Sequence, residues 1–198
     1  MVFPDNVLLQ LLHNDAAIYS RYADAYLEIW HSRSKSSEVG MTTVFMGREN
    51  FMHLVGVDSQ TCTAFEFYEK CLSGDVKIED CSPLHSWSNR SIRSALFPSL
   101  FDFSRSWLYR IGKKDLSTFK SEFDIAIGSD AGTVGYAAKY KNKKHIPTTL
   151  TDRPIAYYCS SPDKILAILK HDTKAKEKEL IFEIKKGICN RIRPDTAP

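Results

Sequence analysis

Apolar residues recur at three- and four-residue intervals along the first part of the chain, and polar residues fill most positions between them. The clearest stripe consists of Ile18, Tyr22, Tyr26, Ile29 and Trp30. This spacing places apolar side chains on one face of a helix, where they pack against a core. The pattern therefore predicts two N-terminal helices, Val7 to His13 and Ala16 to His31, followed by a polar loop from Ser32 to Gly40.

Shorter apolar runs of a different kind follow the polar loop. Thr42 to Met46 is rich in β-branched and aromatic residues, and Phe51 to Val57 is apolar apart from His53. Runs of this length, separated by turn residues such as Gly47, are typical of strands. Helical spacing returns between Thr61 and Leu72, and the Ser-Gly-Asp sequence that follows predicts the end of that helix.

The second half of the chain is dominated by predicted strands. A helix from Asn89 to Leu100, bent at Pro98, comes first. The predicted strands are Phe123 to Ile127, Val134 to Tyr140, Ile155 to Cys159, Ile165 to Leu169 and Leu180 to Ile184. A turn at Asp130 to Gly132 separates the first two, and the last two favour a hairpin. Helices first and strands later predict an α+β fold: N-terminal helices, then a mainly antiparallel, twisted β-sheet with a helix packed on one face.

The chain length sets the expected domain organisation. With 198 residues the chain is long enough for one domain with its own core. We predict an N-terminal helical extension at residues 1–40, an α+β domain at 41–188 and a flexible tail at 189–198. The N-terminal helices are also the surface on which we expect a homodimer, if one forms.

Charge and cysteine content narrow the class of protein. The net charge is only +3, yet four lysines lie between residues 139 and 144. Such a cluster attracts phosphate, although a solvated charged surface is its commoner meaning. Five cysteines, an odd number, and no long apolar run predict reduced thiols, a cytoplasmic location and no membrane contact. No zinc, phosphate-loop or dinucleotide motif occurs, so we expect neither a metal nor a cofactor.

One segment is similar to a known family signature. Residues 50–57 (Asn-Phe-Met-His-Leu-Val-Gly-Val), followed by a helix with Phe65, Tyr68 and Leu72, resemble the phage-associated branch of the barnase–EndoU–colicin–RelE-like nuclease superfamily. In that branch a Phe-x-His-Leu-x-Gly strand leads into a helix, a basic residue lies on the next helix, and a Pro-x-Thr/Ser-Leu segment closes the domain. The basic position falls here on Arg90 or Arg93 and the closing segment on residues 147–150. The resemblance covers about residues 48–186.

The resemblance implies a metal-independent ribonuclease of the toxin or phage-defence type, acting on RNA such as tRNA and held in check by a cognate inhibitor protein. RNA supplies its own nucleophile, the 2′-hydroxyl group. His53 would act as acid or base, Arg93 would stabilise the developing negative charge, and Thr149 would contact the phosphate. The substrate-binding residues expected around them are Arg90, Tyr136, Lys139, His145 and Thr148. His145 is also a candidate second acid or base.

Each assignment has a structural alternative. A lone histidine in an apolar strand, as predicted for His53, is more often a hydrogen-bonded core residue. Arg93 is equally suited to a surface ion pair, and Tyr136 to a core position. The chain as a whole could therefore be a non-catalytic RNA- or protein-binding module on the same scaffold, or a structural protein without a nucleic-acid role.

Overall fold

The computed structural model shows a mixed α+β fold, as the sequence predicts. The described residues are 4–32, 38–83, 97–101, 108–112, 124–129, 135–141, 144–151, 158–159, 161–173 and 178–189. Three α-helices are present in these ranges: α1 (Asp5–Tyr19), α2 (Asn50–Leu54) and α3 (Ala64–Ser73). None of the described helices is long and apolar enough to cross a membrane.

Within the described ranges, ten strands form two sheets. The strands are β1 (Ala25–Ser32), β2 (Val39–Met46), β3 (Val57–Asp58), β4 (Ser82–Pro83), β5 (Leu108–Gly112), β6 (Ile125–Ser129), β7 (Gly135–Lys141), β8 (Lys144–Thr151), β9 (Asp163–Asp172) and β10 (Lys178–Glu183). Strands β3 and β4 pair with each other, and the other eight belong to the main sheet.

The main sheet closes on itself into a ring of seven strands, so it is not the simple twisted sheet that the sequence predicts, whereas the expectation of mainly antiparallel pairing is confirmed. Seven strands follow one another in the order β1-β2-β8-β7-β6-β5-β9, and β9 then pairs with β1. Closure is achieved because β9 is long. One of its edges pairs with β1, while the other is shared between β5, at Asp163 and Lys164, and β10, from Ala167 to His171. All pairings are antiparallel except the one between β2 and β8.

The predicted second helix is wrong over most of its length. Helix α1 is continuous to Tyr19, and β1 replaces the helix expected up to His31. Buried residues alternate with half-buried ones along β1, which is the two-residue period of a strand. The apolar residues of this segment fit both periods, and pairing with β2 and β9 on its two edges decides between them. The domain boundary expected after residue 40 falls inside β2.

The predicted strand at Phe51 to Val57 is also wrong. Its first part is α2, and only Val57 and Asp58 form a strand, β3. A short apolar run does not distinguish a strand from a helix that is buried on most sides. The helix predicted over Thr61 to Leu72 is confirmed as α3, and Gly74, at φ +83°, ends it.

In the second half, the strands expected near β6 and β7 and the β9–β10 hairpin are confirmed. Pro98 lies in a short 3₁₀ helix, Phe97–Phe101, but the rest of the predicted helix from Asn89 lies outside the described residues. So do the turn at Asp130 to Gly132 and most of the strand expected at Ile155 to Cys159. The predicted tail from residue 189 lies outside them from residue 190 onward.

Aromatic packing joins the helices to the sheet. Tyr19, at the end of α1, is fully buried, and its ring lies 5.6 Å from Phe51 and 6.0 Å from Tyr68. Its hydroxyl donates a hydrogen bond of 2.8 Å to the carbonyl of Gly47, in the turn before α2. The same cluster continues to the apolar side chains of β1 and β2. Tyr19 therefore fixes the turn from which α2 begins.

Ion pairs at the protein surface also hold the turn that precedes α2. Arg48 lies between two carboxylates: its Nε is 2.8 Å from Asp24 and its Nη1 is 2.7 Å from Glu69 on α3. Asp24, just before β1, has a φ of +60°, which a residue other than glycine rarely adopts. The ion pairs thus tie the start of β1, the start of α2 and the middle of α3 together.

Asp80 fastens the segment that follows α3. The carboxylate is buried and accepts hydrogen bonds from the Thr61 hydroxyl (2.6 Å), the Lys70 ammonium (2.9 Å) and the Lys77 amide (3.1 Å). Burial by itself raises the pKa of Asp80, but the bonds from Thr61, Lys70 and Lys77 outweigh it and lower the pKa. The ionised form is therefore the one that stabilises the fold.

We expect Asp80→Asn to lower the free energy of unfolding by about 1–3 kcal/mol near neutral pH, because a neutral amide replaces the buried carboxylate that accepts all three hydrogen bonds. The control is Asp75→Asn, at an exposed position near the end of α3, which should change stability by less than about 0.5 kcal/mol. Because the pKa of Asp80 is lowered, the difference from wild type should start to shrink below the ordinary carboxyl pKa of about 3.9. Urea unfolding at several pH values measures both effects, and a constant difference would contradict them.

Candidate functional site

The helix that carries His53 lies beside the strand that carries the predicted phosphate contacts. Strands β2 and β8 are in register at one pair, Val44 and His145. Beyond this pair the chain leaves β2, turns at residues 47–49 and forms α2, which packs against β8. Thr148 and Thr149 are on β8. The two segments that carry the family resemblance are therefore neighbours in the fold, although about a hundred residues separate them in the chain.

His53 is the exposed residue of α2. Asn50, Phe51, Met52 and Leu54 are all buried, so the short helix is held by the core on every side except the one that carries the imidazole. No hydrogen bond joins the ring to any side chain in the described part of the chain. The alternative of a core histidine, which assumed a strand, does not hold. An exposed ring on a fixed backbone is able to exchange protons with a bound ligand and with water.

The remaining predicted site residues are only partly described. Thr148 is half-buried and Lys139 is exposed on β7. Thr149 and Tyr136 belong to β8 and β7, but their side chains lie outside the described set. Arg90 and Arg93 also lie outside the described residues. The contact between α2 and β8 thus places the helix that carries His53 beside the strand that carries the two threonines, and the position of the arginine is left as a prediction.

A polar cluster, which the sequence did not indicate, lies at the other end of the closed sheet, where β1 ends and β2 and β9 begin. His31 Nδ1 is 3.3 Å from Asp163 Oδ2, and Arg110 Nη1 is 3.2 Å from the same oxygen. His31 Nε2 is 3.3 Å from the hydroxyl of Thr42. We call His31, Thr42, Arg110 and Asp163 the buried polar cluster. Its residues join β1, β2, β5 and β9, the strands that complete the closure.

Burial decides what this cluster is able to do. His31 is 4% exposed, and the side chains of Arg110 and Asp163 are each 19% exposed. A substrate phosphate would have to displace the strand ends to reach the imidazole. Charged groups so far from water are costly unless they are paired, and here the pairs hold four strands in register. The cluster is therefore structural rather than catalytic.

Only one member of the buried polar cluster carries a signal in the sequence. His31 continues the two-residue alternation of Ala25, Leu27 and Ile29, so a strand interpretation of this segment would have placed it on the buried face. Nothing comparable marks Arg110 and Asp163. They meet because the β5–β9 register sets them opposite each other across the sheet.

His145 lies near this end of the sheet, at the start of β8. Its Nδ1 donates a hydrogen bond of 3.1 Å to the carbonyl of Thr43, which links β8 to β2. Burial lowers the pKa of His145, the positive charge of Arg110 adds to the effect, and the Thr43 carbonyl and Asp124 oppose it. The ring is therefore predominantly neutral at neutral pH. A neutral imidazole held in this way offers no positive charge to a phosphate, which weakens the expectation that His145 binds substrate.

Comparison with known proteins shows that the chain matches one family of nucleases. A family model described as phage-Barnase-EndoU-ColicinE5/D-RelE like nuclease4 matches residues 11–187. The matched range includes most of α1 and all ten strands, and so extends well beyond the segment from residue 48 that carries the resemblance. No curated protein and no solved structure matches the chain. Within the described residues, no group of three or more His, Cys, Asp or Glu side chains is placed to hold a metal ion.

Gly40 and His31 provide a test of the buried polar cluster. The two residues are opposite each other across β1 and β2, and a Cβ atom at Gly40 would lie 2.6 Å from Cε1 of the imidazole. We expect Gly40→Ala to displace the ring and to lower the free energy of unfolding by about 1–3 kcal/mol. The control is Gly112→Ala at the same end of the sheet, where the nearest atom, Nη1 of Arg110, is 3.7 Å away. Urea unfolding and the His31 imidazole resonances are the measurements, and equal effects of the two variants would contradict the packing described.

The lowered pKa of His145 predicts a pH dependence of stability. Because the folded protein binds a proton at this site less readily than the unfolded chain, the contribution is complete above the ordinary histidine pKa of about 6.5. It declines as the pH falls towards the lowered value. We expect wild type to lose more stability than His145→Asn between about pH 7 and pH 5, since asparagine retains a donor for Thr43 without titrating. Parallel curves of unfolding midpoint against pH would contradict this.

Proposed function

The chain belongs to the phage-Barnase-EndoU-ColicinE5/D-RelE like nuclease4 family, and on this premise we propose that it is an endoribonuclease that cleaves RNA by attack of the 2′-hydroxyl group, without a metal ion. The observation that carries the proposal is the exposure of His53 on α2, next to the strand of the closing segment. It supports a proton-transfer role because the same histidine carries the family resemblance and faces solvent.

The proposed reaction requires little beyond proton transfer and charge stabilisation. The 2′-oxygen forms a bond to phosphorus as its proton passes to a base, and the bond from phosphorus to the 5′-oxygen breaks as that oxygen receives a proton. The products are a 2′,3′-cyclic phosphate and a 5′-hydroxyl end. Imidazole is the side chain best suited to accept and donate protons near neutral pH, and this is the role of His53.

The other groups complete the proposed site. Arg93 stabilises the extra negative charge on the phosphate, since a guanidinium donates two parallel hydrogen bonds to phosphate oxygens. Thr149, on the strand beside α2, contacts a phosphate oxygen through its hydroxyl. Arg90, Thr148 and the exposed Lys139 are the further groups proposed to bind the substrate. Cellular RNA such as tRNA is the proposed substrate, because the reaction has no counterpart in DNA, which lacks the 2′-hydroxyl group.

Replacement of His53 tests the proposal most directly. We expect the wild-type protein to cleave tRNA or total RNA in the presence of EDTA, and His53→Asn to lower the rate by about 10²–10⁴-fold through loss of proton transfer. The control is Gln60→Ala, at an exposed position of the loop between β3 and α3, which should cleave at the wild-type rate. Gel analysis of end-labelled RNA measures the rates, and circular dichroism confirms that both variants are folded.

The products distinguish the mechanism from other kinds of hydrolysis. Cleaved RNA should carry 2′,3′-cyclic phosphate ends, and a substrate with a single 2′-deoxynucleotide at the cleaved position should resist cleavage there. Equal rates for wild type and His53→Asn would remove His53 from the mechanism. RNA binding that weakens with salt but yields no product would instead indicate the non-catalytic binding module.

A further inference from the structure

A transverse row of side chains crosses the outward face of five adjoining strands, β10, β9, β1, β2 and β8. Tyr26 on β1 is opposite Phe45 on one side and His171 on the other, and His171 is opposite Lys178. Residues directly opposite each other in antiparallel strands project from the same face. Lys144 on β8 extends the row, because its ammonium lies 3.4 Å from the centre of the Phe45 ring. We call these five residues the aromatic–lysine row.

The row faces away from the core. In β1 the buried residues Ala25, Leu27 and Ile29 alternate with half-buried ones, of which Tyr26 is the first. Phe45 is half-buried in the same way between two buried residues of β2. Neither Tyr26 nor Phe45 belongs to the core cluster. The two aromatic rings are therefore partly accessible to solvent on the outside of the closed sheet.

The geometry of the two rings suits separate planar partners. Their centroids are 4.9 Å apart, and their planes are inclined at 47°. One flat molecule does not stack on both rings at that angle. Two consecutive bases of a flexible strand each take one ring once the Lys144 ammonium, which covers a face of the Phe45 ring, moves from the ring to a phosphate. Base stacking on aromatic side chains of a sheet is a common mode of binding unpaired nucleic acid, and it tolerates any base sequence.

Positive charge accompanies the rings at one end of the row. Lys144 lies within 5.9 Å of the Tyr26 ring as well, and Lys141 is opposite Lys144 on the neighbouring strand. In the part of the chain that the structure describes, no carboxylate forms an ion pair with either lysine. Lys178, at the other end, is held by Glu28 at 2.6 Å. Phosphate groups are therefore favoured at the Lys144 and Lys141 end, where no described ion pair competes for the two ammonium groups.

We propose that the aromatic–lysine row binds an unpaired stretch of RNA, with bases stacked on Tyr26 and Phe45 and phosphates near Lys144 and Lys141. The inference rests on the proposed ribonuclease function and adds the class of substrate, single-stranded rather than duplex RNA. A duplex buries the faces of its bases in its own stack, so it gains nothing from the two rings. The row acts in binding and takes no part in the bond-breaking step.

The test is a binding measurement on the full chain carrying His53→Asn, so that cleavage does not interfere. Fluorescence anisotropy with one labelled RNA sequence, offered as a single strand or as a duplex, should show tighter binding of the single strand. Tyr26→Leu and Phe45→Leu should each weaken that binding by about 5–100-fold, whereas Tyr26→Phe should retain it. The matched control is Phe65→Leu on α3, an aromatic residue that is 50% exposed and lies outside the row.

The charge contribution has its own readout. Lys144→Gln should reduce the slope of log Kd against log salt concentration by about 0.7 for the phosphate contact it removes. The control is Lys185→Gln, exposed and outside the row, which should leave the slope unchanged. Unchanged binding in both leucine variants, equal loss in Phe65→Leu, or a preference for duplex would overturn the proposal.

The two proposals fail separately. If the wild-type protein cleaves RNA but the Tyr26 and Phe45 variants bind RNA as tightly as the parent, the ribonuclease proposal is supported and the aromatic–lysine row proposal is contradicted. If the leucine variants lose RNA binding and the wild type cleaves no RNA, the aromatic–lysine row proposal is supported and the ribonuclease proposal is contradicted.

Discussion

Strand β1 pairs along its full length with β2 on one edge and along most of its length with β9 on the other, and this double pairing determines the rest of the structure. It joins the N-terminal part of the chain to a strand some 140 residues later and closes the sheet. Closure gives every strand of the ring an inner and an outer face. Along β1 the inner face contributes Leu27 and Ile29 to the core, whereas the outer face carries Tyr26. One run of alternating residues thus supplies both part of the core and part of the proposed RNA-binding surface.

Closure also explains why two histidines have opposite roles. His31 is on the inner face, and the ring of strands leaves it in contact with Asp163 and Thr42 rather than with water. His53 lies on a helix placed beside β8, where the parallel contact with β2 has already ended. The helix buries its other side chains and so turns the imidazole outward. Burial, rather than residue type, therefore separates a histidine that holds strands together from one that is able to transfer protons.

The parts of the fold that the sequence predicts well are those fixed by local chemistry. Helix α3 begins with a capping box between Thr63 and Glu66 and ends at Gly74, which has a positive φ. Residues close in sequence therefore determine where this helix begins and where it ends. The hairpin of β9 and β10 is similarly local. By contrast, β1 and α2 were each assigned the wrong type of element, because short apolar segments satisfy both periods and distant pairing decides between them.

The features of the candidate site also fall into those that local sequence predicts and those that depend on distant strand pairing. The identity of His53 follows from a short motif, but its exposure depends on α2 being a helix, which the apolar run did not predict. The contact between α2 and β8 depends on the register between Val44 and His145, a hundred positions apart. The buried polar cluster depends on the register of β5 and β9, and no pattern within either strand specifies it. Sequence therefore singles out the proposed reactive group, and nonlocal pairing determines which groups lie near it.

A closed sheet restricts how a substrate is able to bind. Most strands of the ring are paired along both edges, so an extended ligand gains little by adding to them as a further strand; β2 and β8, which meet at a single register pair, are the exception among the described strands. Among the described strands of the main sheet, β10 has one pairing partner, and its edge begins with the charged residues Lys178 and Glu179, which discourage strand addition. Recognition is left to side chains that stand on the outer face. The proposed stacking of RNA bases on the rings of Tyr26 and Phe45 requires no open edge, and for this reason it is compatible with the closed architecture.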